Sequence, residues 1–265
     1  MNPPRLITLI TDFGLSDVYV GVIKGIIAQI NPNLKTIDLT HQIPPQNILA
    51  AQFNLINAYP YFPPATVHLV VVDPGVGGAR RSVAIELADG FLVGPDNGIF
   101  TGLLAQKPIV QAVELTQTQY WRVPQPSYTF HGRDIFASVA AHVASGLALS
   151  QLGDSIDPQS LVQLPIATPT QTATGYQGQV QYIDRFGNVI TNIPGDVVKN
   201  QKWAIMLGKR SIPGCRTYSE VPPSQPLALI GSHGWVEIAI NGGDAQFQLR
   251  LNWHDPITVQ INGSE

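Results

Sequence analysis

The sequence predicts an N-terminal, mostly parallel α/β sheet domain followed by a C-terminal all-β, barrel-like domain. Three observations carry this reading. Short apolar runs alternate with helix-period segments through residue 164. A Thr-, Pro- and Ala-rich stretch without charge then interrupts the pattern at 165–177. Beyond it, residues 178–265 contain little but short strand-like runs separated by turn residues. The expected boundaries are therefore 1–164, a linker at 165–177, and 178–265.

Each element has its own warrant. Leu6–Ile10 is a short apolar run of the kind a buried parallel strand requires. Asp17 to Ile30 places Val18, Val22, Ile26 and Ile30 at helical spacing. Thr36–Leu39 reads as a strand, and Pro44-Pro45 precedes a helix over Asn47–Ala58. Thr66–Val72 is the strongest strand signal in the chain. Ser82–Leu87 and Phe91–Val93 flank Asp89-Gly90 and predict a hairpin. Arg133–Ala144 predicts a small-residue helix. In the second half, strands are expected at 178–183, 189–193, 203–207, 227–230, 236–240, 247–251 and 257–261. Gly187-Asn188, Pro222-Pro223 and Asn241-Gly242-Gly243 punctuate them.

Composition narrows the function classes. Only 12% of the 265 residues are charged, against roughly 25% in an average protein. The 44% hydrophobic content still excludes disorder. A formal net charge of −3 supplies no drive toward nucleic acid or an anionic membrane. No run reaches membrane-spanning length, and the first residues lack a signal-peptide pattern. The single Cys215 makes no internal disulfide. The expectation is a cytoplasmic protein, with low charge reflecting surface buried between subunits.

Open α/β sheets hold ligands at the carboxyl ends of their strands. Those ends carry Asp12, His41, Asp73 and Asp96, with Gly close by at three of them. An Asp before Gly or Pro also simply makes a turn or caps a helix, so each taken singly has a structural reading. DPGVGGARR (73–81) superficially resembles a dinucleotide-binding loop, but G-x-G-x-x-G is not met and a strand rather than a helix follows. No Walker A, G-x-S-x-G or zinc spacing occurs, so no metal site is expected. His68 and His142 fall inside elements and read as structural. His131 stands just before a helix, and its local context fits a structural or a functional role equally.

Five motifs taken together go further: TDFG (11–14), DPGVGGARR (73–81), PDNG (95–98), TFHGRD (129–134) and DRFGN (184–188). In this order and spacing the sequence resembles the SAM hydroxide adenosyltransferase family, adenosine-forming S-adenosyl-L-methionine hydrolases related to fluorinase and chlorinase. The similarity runs from Leu6 to about Ile261. It implies hydrolysis of S-adenosyl-L-methionine to adenosine and L-methionine, without a cofactor. It also implies a homotrimer with sites between subunits. The family's triad falls on Asp73, Arg80 and His131. Substrate contacts fall on Asp12 (ribose hydroxyls), Asp184 (methionine ammonium), Phe186 and Asn188 (adenine side), Ser232 (methionine carboxylate) and Gly242 (adenine edge). The sequence departs from the halogenase relatives at Gln46, near which they have an aromatic on the sugar, and at His233, where they have Arg.

The chemistry is coherent. A sulfonium leaves as a neutral thioether and needs no general acid. Water is a poor nucleophile and gains about 10²–10⁴-fold from a positioned base. Asp73 and His131 both remain candidates for the proton. Two rival readings stand: a halide-dependent halogenase, and a non-catalytic adenosyl-ligand sensor. Asp73 opposes the first because a carboxylate beside the nucleophile repels an anion. The intact triad opposes the second.

Overall fold

The structure, a computed structural model, describes residues 6–262. The chain divides into two compact units after Leu164.

The first unit contains β1 (Ile7–Thr11), α1 (Tyr19–Ile30), β2 (Thr36–Thr40), α2 (Ile48–Ala58), β3 (Thr66–Val71), β4 (Ser82–Leu87), β5 (Gly90–Pro95), α3 (Thr101–Leu104), β6 (Ile109–Glu114), α4 (Ala137–Ala144) and β7 (Asp154–Ser155). The strands form one sheet in the order β2-β1-β3-β5-β4-β6-β7. The β2-β1-β3-β5 ladders are parallel and the rest antiparallel, so β4 and β7 run against the other five strands. Every residue of β1 and β3 is buried, which explains their largely apolar character, and the buried His68 and Thr8 satisfy each other across the pair at 2.8 Å. Asn47 caps α2, its side chain accepting from Ala50 N at 2.9 Å. The expected hairpin forms between β4 and β5.

Helix α1 packs on α4, and its buried face is Val20, Ile23, Ile26 and Ile27. The face expected from Val18, Val22, Ile26 and Ile30 is thus rotated, and Val18 is exposed. Two interleaved apolar stripes run along this helix, and contact with α4 selects one of them. The strand β6 was missed because Gln111 interrupts a short run beside Lys107-Pro108. The expected helix over 133–144 opens instead with a π-turn, Gly132–Phe136, before α4.

The second unit comprises β8 (Thr170–Thr172), β9 (Gly175–Ile183), β10 (Val189–Pro194), β11 (Lys202–Leu207), β12 (Arg210–Pro213), β13 (Pro226–Ile230), β14 (Trp235–Ile240), α5 (Ala245–Leu249) and β15 (Pro256–Asn262). Antiparallel pairing gives the order β12-β11-β15-β9-β10-β14-β13, with β8 added on β9. A bridge between Gly214 and Ala228 brings the two ends of this path together, so the sheet is nearly closed and barrel-like. Val180, Ile193, Ile205, Val236, Ile238 and Val259 fill its interior.

Two expectations for this unit are corrected. The stretch 165–177 is not a bare linker: β8 pairs with the start of β9, and Ala167 O accepts from Asn192 Nδ2 at 2.8 Å. Its threonines are β-branched and suit an edge strand. The strand expected at 247–251 is the short helix α5, because Asp244 caps it by accepting from Phe247 N at 2.8 Å. Among the described residues no helix is long and apolar enough to cross a membrane.

Candidate active site

In the first unit, parallel strands deliver three of the motifs to one edge of the sheet. Asp12 follows β1, and Asp73 stands two residues beyond β3. The loop after Asp73 turns sharply, with Val76 N donating to Asp73 O and Gly78 N to Gly75 O. Arg80 thereby returns beside the carboxylate from which the loop began. Its Nε lies 3.0 Å from both Asp73 oxygens and its Nη2 2.5 Å from Oδ2. Nη1 donates to Ser82 Oγ at 2.8 Å, which fixes the guanidinium plane. The Asp73 and Arg80 side chains are only 6% and 10% exposed, so water screens the pair little.

His131 completes the row, with Nδ1 2.7 Å from Arg80 Nη2. Arginine has donors only, so Nδ1 accepts, and the neutral ring carries its proton on Nε2. Burial, followed by the Arg80 charge, pushes the His131 pKa below its ordinary value, while Asp73, Asp134 and a backbone hydrogen bond with Ser127 oppose this. The imidazole is therefore neutral at pH 7.

Three contacts hold the motifs together. Gly77 has φ +74°, and a Cβ there would lie 2.2 Å from the Tyr128 carbonyl oxygen. Only glycine permits that approach between the Asp73 loop and the loop before His131. Phe13 of TDFG stacks edge-on against Phe130 of TFHGRD at 5.6 Å. Asp134, fully buried, binds Arg122, Arg133 and the Ser127 backbone N–H, and so ties down residues 122–130. Asp12 is held by Gln46 N, which donates to its Oδ2 at 2.8 Å. The preceding Thr11 hydroxyl bonds His41 Nδ1 at 2.8 Å.

The second unit has a cleft of about 430 Å³ lined by Phe186, Asn188, Tyr218, Ile240 and the Gly242–Asp244 turn. Its floor begins in the β9–β10 turn. There Asp184 Oδ1 accepts from the N–H groups of Phe186 and Asn188, both at 2.9 Å, and Oδ2 accepts from Asn188 Nδ2 at 3.0 Å. This fixes Asn188, while Phe186 stays 77% exposed, a large aromatic face open to a flat ligand.

Comparison with known proteins places the chain. Residues 7–153 match the SAM hydroxide adenosyltransferase N-terminal domain and 178–258 its C-terminal domain. The chain belongs to the SAM hydroxide adenosyltransferase family. A Salinispora tropica relative named (R)-S-adenosyl-L-methionine hydrolase is 40% identical over 98% of this chain and 99% of its own. A solved structure of an uncharacterized conserved protein from Thermotoga maritima superposes with TM-score 0.89 at 36% identity, covering 96% of this chain and 99% of that one. An Actinoplanes fluorinase is more distant, 24% identical over 97% of this chain and 98% of its own.

Family membership can be set against the geometry. Asp73, Arg80 and His131 share one hydrogen-bonded row in the first unit. Phe186, Asn188 and Gly242 share one cleft in the second. Asp184 abuts that cleft through its bond to Asn188, and Ser232 lies exposed in the β13–β14 turn. Sequence reasoning missed Ser82, Asp134 and Tyr218. Asp134 lies inside TFHGRD, but nothing in the motif marks it as the anchor of residues 122–130. Tyr218 had a signal in the Thr217–Glu220 capping box that positions it.

Proposed function

We propose that this chain hydrolyses S-adenosyl-L-methionine by attack of water at C5′, giving adenosine and L-methionine. The observation that carries the reading is the Asp73–Arg80–His131 row, held at 2.5–3.0 Å. The water oxygen forms the new bond to C5′ as the C5′–S bond breaks. That electron pair passes to sulfur, which leaves neutral in methionine, and one water proton is released. His131 Nδ1 already accepts from Arg80, so the neutral ring has no lone pair left for that proton. Asp73 Oδ1 takes only one guanidinium bond and keeps a lone pair to orient the water and receive its proton. Through its bond with Arg80 Nη2, His131 keeps the guanidinium aligned on Asp73. Halide as the nucleophile is disfavoured by the Asp73 carboxylate.

In this reading Asp12 accepts from the ribose hydroxyls, Phe186 and Asn188 hold adenine beside Gly242, and Asp184 and Ser232 receive the methionine ammonium and carboxylate. The sulfur carries three different carbon substituents and is a stereocentre. The (R) in the name of the Salinispora relative makes that epimer the proposed substrate. The proposed assembly is a homotrimer in which the first unit of one subunit meets the second unit of the next, as head-to-tail closure allows. Reaction in ¹⁸O-water tests the bond assignment. Label should appear in the 5′-hydroxyl of adenosine with unlabelled methionine released. Formation of S-adenosylhomocysteine would instead mean methyl transfer and end the hydrolase reading.

A further inference from the structure

We propose that Glu237 is a specificity-determining residue: its buried charge behind the Tyr218 wall makes the cleft prefer a cationic adenosyl ligand to a neutral one. The inference rests on the adenosyl reading of that cleft. Glu237 sits on β14 and is 4% exposed. Its Oε1 accepts from the Tyr218 hydroxyl at 2.9 Å, and Oε2 lies 3.1 Å from His233 Nε2. His233 Nδ1 accepts from Trp235 N, so Nε2 is the ring nitrogen that donates to the carboxylate. The packing is close: a Cβ at Gly231 would lie 2.4 Å from the His233 ring and 2.8 Å from Glu237 Oε2.

A buried carboxylate normally has a cationic partner. Among the described residues Glu237 has no Lys or Arg in ion-pair range, and neither has Asp184 beside the same cleft. Tyr218 registers both charges. Burial first, then the bond and charge of Glu237 and the charge of Asp184, push its phenol up to about 12. Tyr218 also lines the cleft. Two carboxylates with no Lys or Arg partner among the described residues therefore act on a wall that the ligand touches. The substrate class brings the missing cation as a sulfonium and an ammonium, whereas the nucleoside product brings none. Glu237 thus favours substrate over the product that must leave.

The experiment is calorimetric binding of three ligands to the full chain: the uncleavable amine analogue sinefungin, the neutral thioether S-adenosylhomocysteine, and adenosine. Glu237→Gln keeps the acceptor for Tyr218 and removes the charge. It should weaken sinefungin about tenfold, as expected for a unit charge acting across a poorly screened wall, and leave adenosine within about twofold. Tyr218→Phe keeps the charge and should weaken all three alike. Glu237→Asp should retain the cation preference. Parallel losses in Glu237→Gln overturn the proposal. So does loss of the preference in Tyr218→Phe or Glu237→Asp, which decides the matter even where Glu237→Gln does not fold. A wild-type chain that binds none of the three and forms no adenosine overturns the hydrolase reading instead.

Discussion

Replacing Arg80 by lysine separates geometry from charge in the catalytic row. The guanidinium reaches three groups at once: both oxygens of Asp73, Ser82 Oγ, and His131 Nδ1. An ammonium is a single point with the same charge and cannot span all three. Keeping one contact to Asp73, it loses the bonds to His131 and Ser82 and the two-nitrogen grip on the carboxylate. At least two charge-assisted bonds go, each worth about 1.5 kcal/mol, for about 3 kcal/mol in total. Expressed in the transition state, that is a little over two decades in kcat. The assay is adenosine formation by chromatography, with kcat and KM resolved separately, and a urea melt to show that the variant is folded. The expected result is a drop in kcat of about 10²-fold with little change in KM. Full turnover in Arg80→Lys, or a loss confined to KM, would refute the argument, because the row would then matter by charge or by binding alone.

Other outcomes follow from the same contacts. Asp12→Ala should weaken adenosine binding roughly tenfold or more by calorimetry, since charge-assisted bonds to the ribose diol are lost. His68 is 1% exposed, and burial pushes its pKa down to about 4 from 6.5. The unfolded chain therefore binds more protons between those values. Stability is full above pH 6.5 and falls as pH drops through about 4, with about 2–3 kcal/mol lost by pH 4.5 in urea titrations. A His68→Gln variant should flatten that slope. Mixing inactive Asp73→Ala chains with inactive Asp184→Ala chains should restore partial activity after subunit exchange, and light scattering should give three times the 28.6 kDa chain mass. An active monomer would refute the shared-site assembly.

The sequence made some of this legible because strand ends are local features. Asp12 and Asp73 sit just beyond apolar runs, and those runs had to become the buried β1 and β3. What was hidden depended on partners distant in the chain. The rotated face of α1 is decided by α4, over a hundred residues away. The helix α5 turns on one Asp244 cap that outweighs a strand-like run. Glu237 sat in an alternating strand where a charged residue reads as solvent-facing, yet Tyr218 and His233 fold over it. Which nitrogen of His131 carries the proton follows only from the position of Arg80, fifty-one residues earlier in the chain.

The meeting of Gly77 with the Tyr128 carbonyl has a mechanical consequence. It is a joint of backbone on backbone, so its fit does not depend on which side chain stands at 128, and Tyr128 points 81% of its surface outward. Sequence drift is tolerated on one side of the joint and forbidden on the other. The loop carrying Asp73 and the loop leading to His131 consequently share their motions. A displacement of one would carry the other with it, a coupling that favours a constant separation of carboxylate and imidazole.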